Sequence, residues 1–256
     1  EILPSDWSSD VCSSDLCVIA YHKPVGEVVT HSDPQNRPTV FRTLPRLTQG
    51  KWLSVGRLDL NTEGLLLITN SGELANRLMH PRFGLEREYA ARVLGALDEA
   101  EQQRLLEGVR LDDGPARFER IEAEKGGDGA NQWYRVTIAE GRNREVRRIF
   151  EAVGRAVSRL IRIRYGAMTL PRGLRRGHWM ELGARELAAL AAAAGMSAAE
   201  LNPAAASAAP RQRRNADRSS KAGPRPAQPS RRNAGRNASA PRSEEHTSEL
   251  QSLGRI

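Results

Sequence analysis

The stretch "SVGRLDLNTEGLLLITN", residues 54–70, passes abruptly from a polar, charged turn into an apolar run. "GLLLIT", residues 64–69, is short, unbroken and bounded by turn residues, as a strand buried on both faces should be. Asp59 therefore stands one turn away from a buried strand. Three readings of it are open. Asp59, Asn61, Glu63 and Gly64 fit the first positions of a calcium loop. The rest of that pattern fails: Asn70 stands where a bidentate Glu is needed, residues 65–69 are strand, and no helix precedes. Asp59 is otherwise a turn-former after a Gly-Arg step, or a chemical group. In the last case Arg57, two residues away, holds the carboxylate ionised, and the strand anchors it for attack on a sugar carbon.

Outward from this stretch, short strands and helices alternate irregularly. "CVIAYHKP" reads as a strand stopped by Pro24. After "GLLLIT", Asn70 is expected to cap a helix with Glu73 as its capping-box partner, and Pro81 follows its end. "EREYAARVL" alternates as a strand. Asp98 and Glu101 form a capping box for a helix that Gly108 closes. "VRLDDGPARFERIEAE" reads as a hairpin around Asp-Asp-Gly, and "WYRVTIA" as a strand. Val146, Ile149, Phe150 and Val153 recur at helical spacing up to Gly154. In "SRLIRIRYG", Leu160, Arg162 and Arg164 fall on one face and Ile161, Ile163 and Tyr165 on the other. "HWMEL" is a last strand and "ARELAALAAAAG" a terminal helix. Hairpin-linked strands with interspersed helices predict an α+β fold with a mixed, mainly antiparallel sheet and flanking helices.

The ends read differently. Residues 6–16 are "DWSSDVCSSDL" and residues 242–252 are "RSEEHTSELQS". With one choice of codons for the first, the reverse complement of its DNA, read one frame over, encodes the second residue for residue. A synthetic adapter joined to both ends of a gene fragment accounts for this. Residues 1–16 and 242–256 are therefore set aside as translated linker, and native segments are expected to be missing. The chain carries a formal charge of +8. Between Pro203 and Pro241 nine Arg and Lys residues face one Asp, with no aromatic residue. Residues 197–241 are thus expected to be a disordered basic tail that favours a polyanion such as nucleic acid. Cys12 and Cys17 are too few for a disulfide framework or a cysteine zinc site. No apolar run approaches the ~20 residues that span a bilayer, so no membrane partner is expected and the cytoplasm is the default setting. His22, His31, His80 and His178 show no metal-ligand spacing.

"GRLDLNTEGLLLITN" resembles the catalytic motif of RNA pseudouridine synthases, of the RsuA/RluB type acting on ribosomal RNA. Other motifs follow in the order seen in that family: "HKPVG" (22–26), "EREYAARV" (86–93) and "EGRNREVRRIF" (140–150). The resemblance spans about residues 17–196, which sets the expected catalytic domain. Members usually begin with a small RNA-binding S4 domain, and here the linker stands in its place. The basic tail and "RPTVFRTLPRL" are similar to the branch acting on large-subunit ribosomal RNA. The resemblance implies a monomer that isomerises one uridine, in a single-stranded or loop region, without cofactor or metal. It implies Asp59 as the catalytic carboxylate, adding to C1′ or removing a sugar proton. Tyr89 would stack on the uracil, Arg147 would pair with Asp59, and Arg57 would orient Asp59 or bind the flipped nucleotide. Lys23, in a loop before Gly26, would touch phosphate or support the cleft. Arg144, Arg148, Arg162 and Arg164 are candidate phosphate contacts. Two other classes are open: a non-catalytic ribosomal RNA-binding or assembly factor, and a glycosidase-like hydrolase. The hydrolase would need a second carboxylate, for which Glu63 is the near neighbour.

Overall fold

The computed structural model describes residues 16–47, 50–124 and 130–197. All of these lie in the first of the chain's two units, Glu1–Pro210; the second, Arg211–Ile256, lies outside them. The expected linkers and basic tail likewise fall outside, except for their boundary residues Leu16 and Ser197.

The chain first lays down strands β1 (Val18–Lys23), β2 (Leu53–Val55) and β3 (Glu63–Thr69), then helix α1 (Gly72–Met79) and strand β4 (Arg87–Leu94). Helix α2 (Glu99–Glu107) leads to the short strands β5 (Val109–Leu111), β6 (Gly114–Ala116) and β7 (Arg120–Ala123), and to β8 (Asn131–Ile138). Helix α3 (Glu145–Glu151), β9 (Val157–Tyr165), β10 (Met168–Thr169), β11 (Trp179–Glu181) and helix α4 (Ala184–Ala193) complete it. The main sheet runs β11-β1-β3-β9-β4-β8-β7, with β2 on β3 and β10 on β9. Only the short β3–β9 contact is parallel among these pairs. The α+β reading and the mainly antiparallel sheet hold.

Helices cover both faces. Ile19, Tyr21, Leu66 and Ile68 pack with Leu105 of α2 and with Ile149 and Phe150 of α3. Val18, Ala20, Leu65 and Leu67 pack with Leu74 and Leu78 of α1 and with Leu190 of α4. All seven residues of β3 are buried, which is why its sequence is apolar without alternation. Each of its leucines contributes about 1.5–3 kcal/mol by leaving water.

Four local expectations need correction. Ser71, not Asn70, caps α1: its Oγ accepts from Leu74 N at 3.3 Å. Asn70 is held back by Cys17, whose N donates to Asn70 Oδ1 at 2.9 Å while Asn70 N donates to Cys17 O. It completes the β1–β3 pairing, so the helix starts one residue later, and Glu73 instead pairs with Arg77. The Asp-Asp-Gly hairpin is confined to β5 and β6; β7 leaves it to pair with β8. The helix around Val146 ends at Glu151, and Gly154 sits beyond it with φ +75°. Finally, the β4–β9 register slips between Glu88 and Tyr89. Ile163 is the extra residue of a bulge, so Arg164 falls out of phase with Arg162.

Candidate active site

The turn before β3 is held through its backbone. Thr62 N donates to Asp59 O at 3.1 Å and closes the turn. Lys23 Nζ donates to Asp59 O at 3.0 Å, to Thr62 O at 2.9 Å and to Pro24 O at 2.9 Å. Gly26 N donates to Leu60 O at 2.8 Å. Arg147 Nη2 donates to Asn61 O at 2.9 Å, and Nη1 to Val157 O at 2.6 Å. All four carbonyls from Asp59 to Thr62 thus accept hydrogen bonds, three of them from the two buried cations Lys23 and Arg147. The half-buried Asp59 carboxylate, by contrast, makes no hydrogen bond or ion pair among the described residues.

The cations act on that carboxylate through space. Lys23 has no exposed surface. Burial pushes its pKa down to about 8, against the opposing pull of Glu27, Asp59 and Glu63, with Arg162 lowering it further. Burial also lowers Arg147, aided by Arg144 and opposed by Asp59 and Glu151. Two charges taken out of water are tolerated here because carbonyls and nearby carboxylates compensate them.

Register brings a further group into line. Lys23 pairs with Gly64, Gly64 with Arg162, and Arg162 with Tyr89, a row across four strands. At a spacing of ~4.8 Å per strand, Tyr89 lies about 10 Å from Gly64 along the row. Tyr89 is largely buried and packs in the core with Ala91 and Val93.

Several expectations change at this point. Lys23 is the last residue of a strand rather than a loop residue, and it is buried where no phosphate reaches it. Arg147 is buried and bonds the backbone of the Asp59 turn, not the carboxylate. Arg57 is exposed and makes no hydrogen bond or ion pair with Asp59. Of the four candidate phosphate contacts, Arg162 is buried with Nε on Leu65 O at 2.8 Å. Arg164 is paired with Glu86 and Glu88, and Arg148 with Asp113 at 2.7 Å. Arg144 alone of these is exposed, with Nη1 3.5 Å from Asn61 Oδ1 in the turn.

Glu63 emerges as an unforeseen structural group. It is buried, and its two oxygens accept from Arg159 and Arg176 respectively. Burial would raise its pKa, but those two hydrogen bonds prevail and hold it below the usual carboxylate range. A Glu opening an apolar strand was the available signal, because a buried carboxylate needs cations. With both oxygens occupied, Glu63 does not serve as a hydrolase's second carboxylate. No cluster of three or more His, Cys, Asp or Glu side chains suited to a metal ion occurs among the described residues.

A sequence model described as RNA pseudouridylate synthase matches residues 17–152, from β1 through the end of α3. The chain belongs to that family. Its matched span contains the Asp59 turn, Lys23, Tyr89 and Arg147. Family relatives carrying the name ribosomal large subunit pseudouridine synthase B are closely similar. That of Yersinia pestis is 61% identical over 165 residues, covering 64% of this chain and 52% of the relative. That of Escherichia coli K12 is 60% identical over 171 residues, covering 66% of this chain and 58% of the relative. This family member thus spans between half and three fifths of their length. A crystal structure of a pseudouridylate synthase shares its fold, with a TM-score of 0.60 at 29% identity over 69% of this chain and 74% of the other. Among the described residues no helix is long and apolar enough to cross a membrane.

Proposed function

We propose that the chain isomerises a uridine of large-subunit ribosomal RNA to pseudouridine. The observation that carries this is the bare Asp59 carboxylate on a turn whose every carbonyl is held. Rigid backbone with an unpartnered charge suits a group that must meet an incoming sugar without reorganising. In the reaction the N1–C1′ bond breaks and a C5–C1′ bond forms. C5 loses a proton and N1 gains one, so product and substrate are isomers and no cofactor is consumed. Asp59 adds to C1′ or takes a sugar proton; both routes need an ionised carboxylate at this spot. Tyr89 stacks on the flipped uracil, which reaches it after leaving its own stack at a cost of a few kcal/mol. Lys23 and Arg147 are positioning residues that hold the turn. Arg57 and Arg144, both exposed near the turn, meet the RNA strand.

In this reading residues 17–196 are the catalytic domain, working as a monomer in the cytoplasm where ribosomal RNA is found. A non-catalytic assembly factor would have no use for so tightly held a turn. The test is turnover: tritium release from C5-labelled uridine in large-subunit ribosomal RNA lacking the modification, with carbodiimide-stop mapping of the product. Wild type is expected to modify one position, and Asp59→Asn to lose at least a hundredfold in turnover while binding RNA as before. An Asp59→Asn variant that turns over like wild type would overturn the assignment.

A further inference from the structure

Between β1 and β2 the chain forms an arm that the Asp59 turn leaves unexplained. The arm closes on itself, with Val28 N donating to Pro38 O at 2.9 Å and Val40 N to Val28 O at 3.1 Å. Asp33 and Arg37 lock its tip through a two-pronged ion pair at 2.6 and 3.0 Å. Its root is the Gly26–Leu60 hydrogen bond, so it springs from the Asp59 turn itself.

On this arm His31 lies flat on Phe41, with ring centroids 3.8 Å apart and planes within 10°. Phe41 is half-buried and packs on the core beneath, whereas His31 is exposed. The stack therefore rises from the core through Phe41 to His31 and leaves the outer ring face open to solvent. Both rings line an open pocket of about 300 Å³, together with Asn36 and Arg42. Arg37 is neutralised by Asp33. The exposed Arg42 guanidinium and the Asn36 amide have no hydrogen bond or ion pair among the described residues. A flat open ring, an uncommitted amide and an uncommitted guanidinium are the groups that take a base face, a base edge and a phosphate.

We propose that His31, stacked on Phe41 and flanked by Arg42, is a second nucleotide subsite that takes an unpaired RNA base other than the target uridine. The inference rests on the RNA-isomerase reading for the identity of the strand. A uridine that flips out of a loop leaves neighbours unstacked, and a platform rooted at the catalytic turn is placed to receive one. Stacking fixes the strand beside the target without reading its sequence, because every base has a π-face. The alternative is that the ring pair only braces the arm.

The test uses the full chain and short fluorescein-labelled RNA hairpins copied from the uridine-bearing loops of large-subunit ribosomal RNA. His31→Ala is expected to weaken binding by about fivefold to a hundredfold, the loss of one base–aromatic stack. His31→Phe is expected to restore it. Replacing single loop nucleotides by abasic ones should reveal one position, not the target, at which His31→Ala no longer matters. Arg42→Ala should flatten the slope of log K against log salt by about 0.7, one phosphate of a single strand. If His31→Ala and wild type bind every hairpin alike while the wild type still makes pseudouridine, the subsite is overturned and the isomerase reading stands. If the wild type makes no pseudouridine but the abasic cycle finds its position, the subsite stands and the isomerase reading falls. A Phe variant that fails to rescue, with the arm still folded by circular dichroism, also overturns the stack.

Discussion

Burying a lysine ammonium costs free energy that three backbone carbonyls return only in part, and Lys23 shows the consequence. With its pKa lowered to about 8 by burial, the folded state holds this proton less tightly than the unfolded chain does. The penalty is fully present below about 8 and is relieved as pH rises toward the ordinary lysine value of about 10.4. Global stability from this group therefore rises across that window. The turn behaves oppositely, because a neutral amine has two N–H donors for three carbonyls, and one of Pro24 O, Asp59 O and Thr62 O loses its Lys23 donor. Turnover is expected to fall above pH ~8 while the denaturation midpoint contributed by Lys23 does not. NMR titration of the Lys23 ε-carbon alongside turnover checks both. A Lys23 that stays protonated up to the ordinary value, or turnover flat through the window, would sink the prediction. The sequence marked Lys23 through its motif but not its role, since burial depends on strand β3 closing over it from residue 64 onward.

At the scale of elements, much of the sheet was written in local pattern. Apolar runs named β1 and β3, and Asp98 with Glu101 named the start of α2, where both halves of the capping box form. What failed was parity and register. Alternation in "SRLIRIRYG" assumes a regular strand, whereas the bulge at Ile163 is set by the pairing partner β4. Asn70 looks like a helix cap in the local sequence because its competing partner, Cys17, lies 53 residues away. Equally non-local is the close parallel pairing of β3 with β9. Gly64 has φ +110°, and a Cβ there would overlap the backbone of Arg162. Gly64→Ala is expected to cost about 3 kcal/mol or more, from combined backbone strain and overpacking. Gly56 also has positive φ, but nothing lies near its missing Cβ, so Gly56→Ala should cost only ~1–2 kcal/mol. Urea denaturation of both variants compares them. Equal losses would mean that the β3–β9 pairing yields, and that the turn before β3 is less rigid than its hydrogen bonds imply.

At the scale of the whole molecule, the cations that hold the Asp59 turn come from β1 and α3, far apart in the chain. The basic segment between Pro203 and Pro241 lies outside the described residues. Its nine Arg and Lys residues follow no regular spacing and include no aromatic platform among them. Such a segment meets phosphate charge and not base edges. Deleting residues 203–256 is expected to weaken RNA binding and flatten its salt dependence, because fewer counterions are released on binding. The modified position should not move, since Asp59, Tyr89, Arg147 and the His31 platform all remain. Two measurements decide it: the slope of log K against log salt with and without the segment, and the pseudouridine map of the product. An unchanged slope would make the segment a bystander to RNA binding. A lost or shifted site, with the thermal melt of the body intact, would mean that sequence selection extends into the basic segment and that the body alone positions the strand without choosing it.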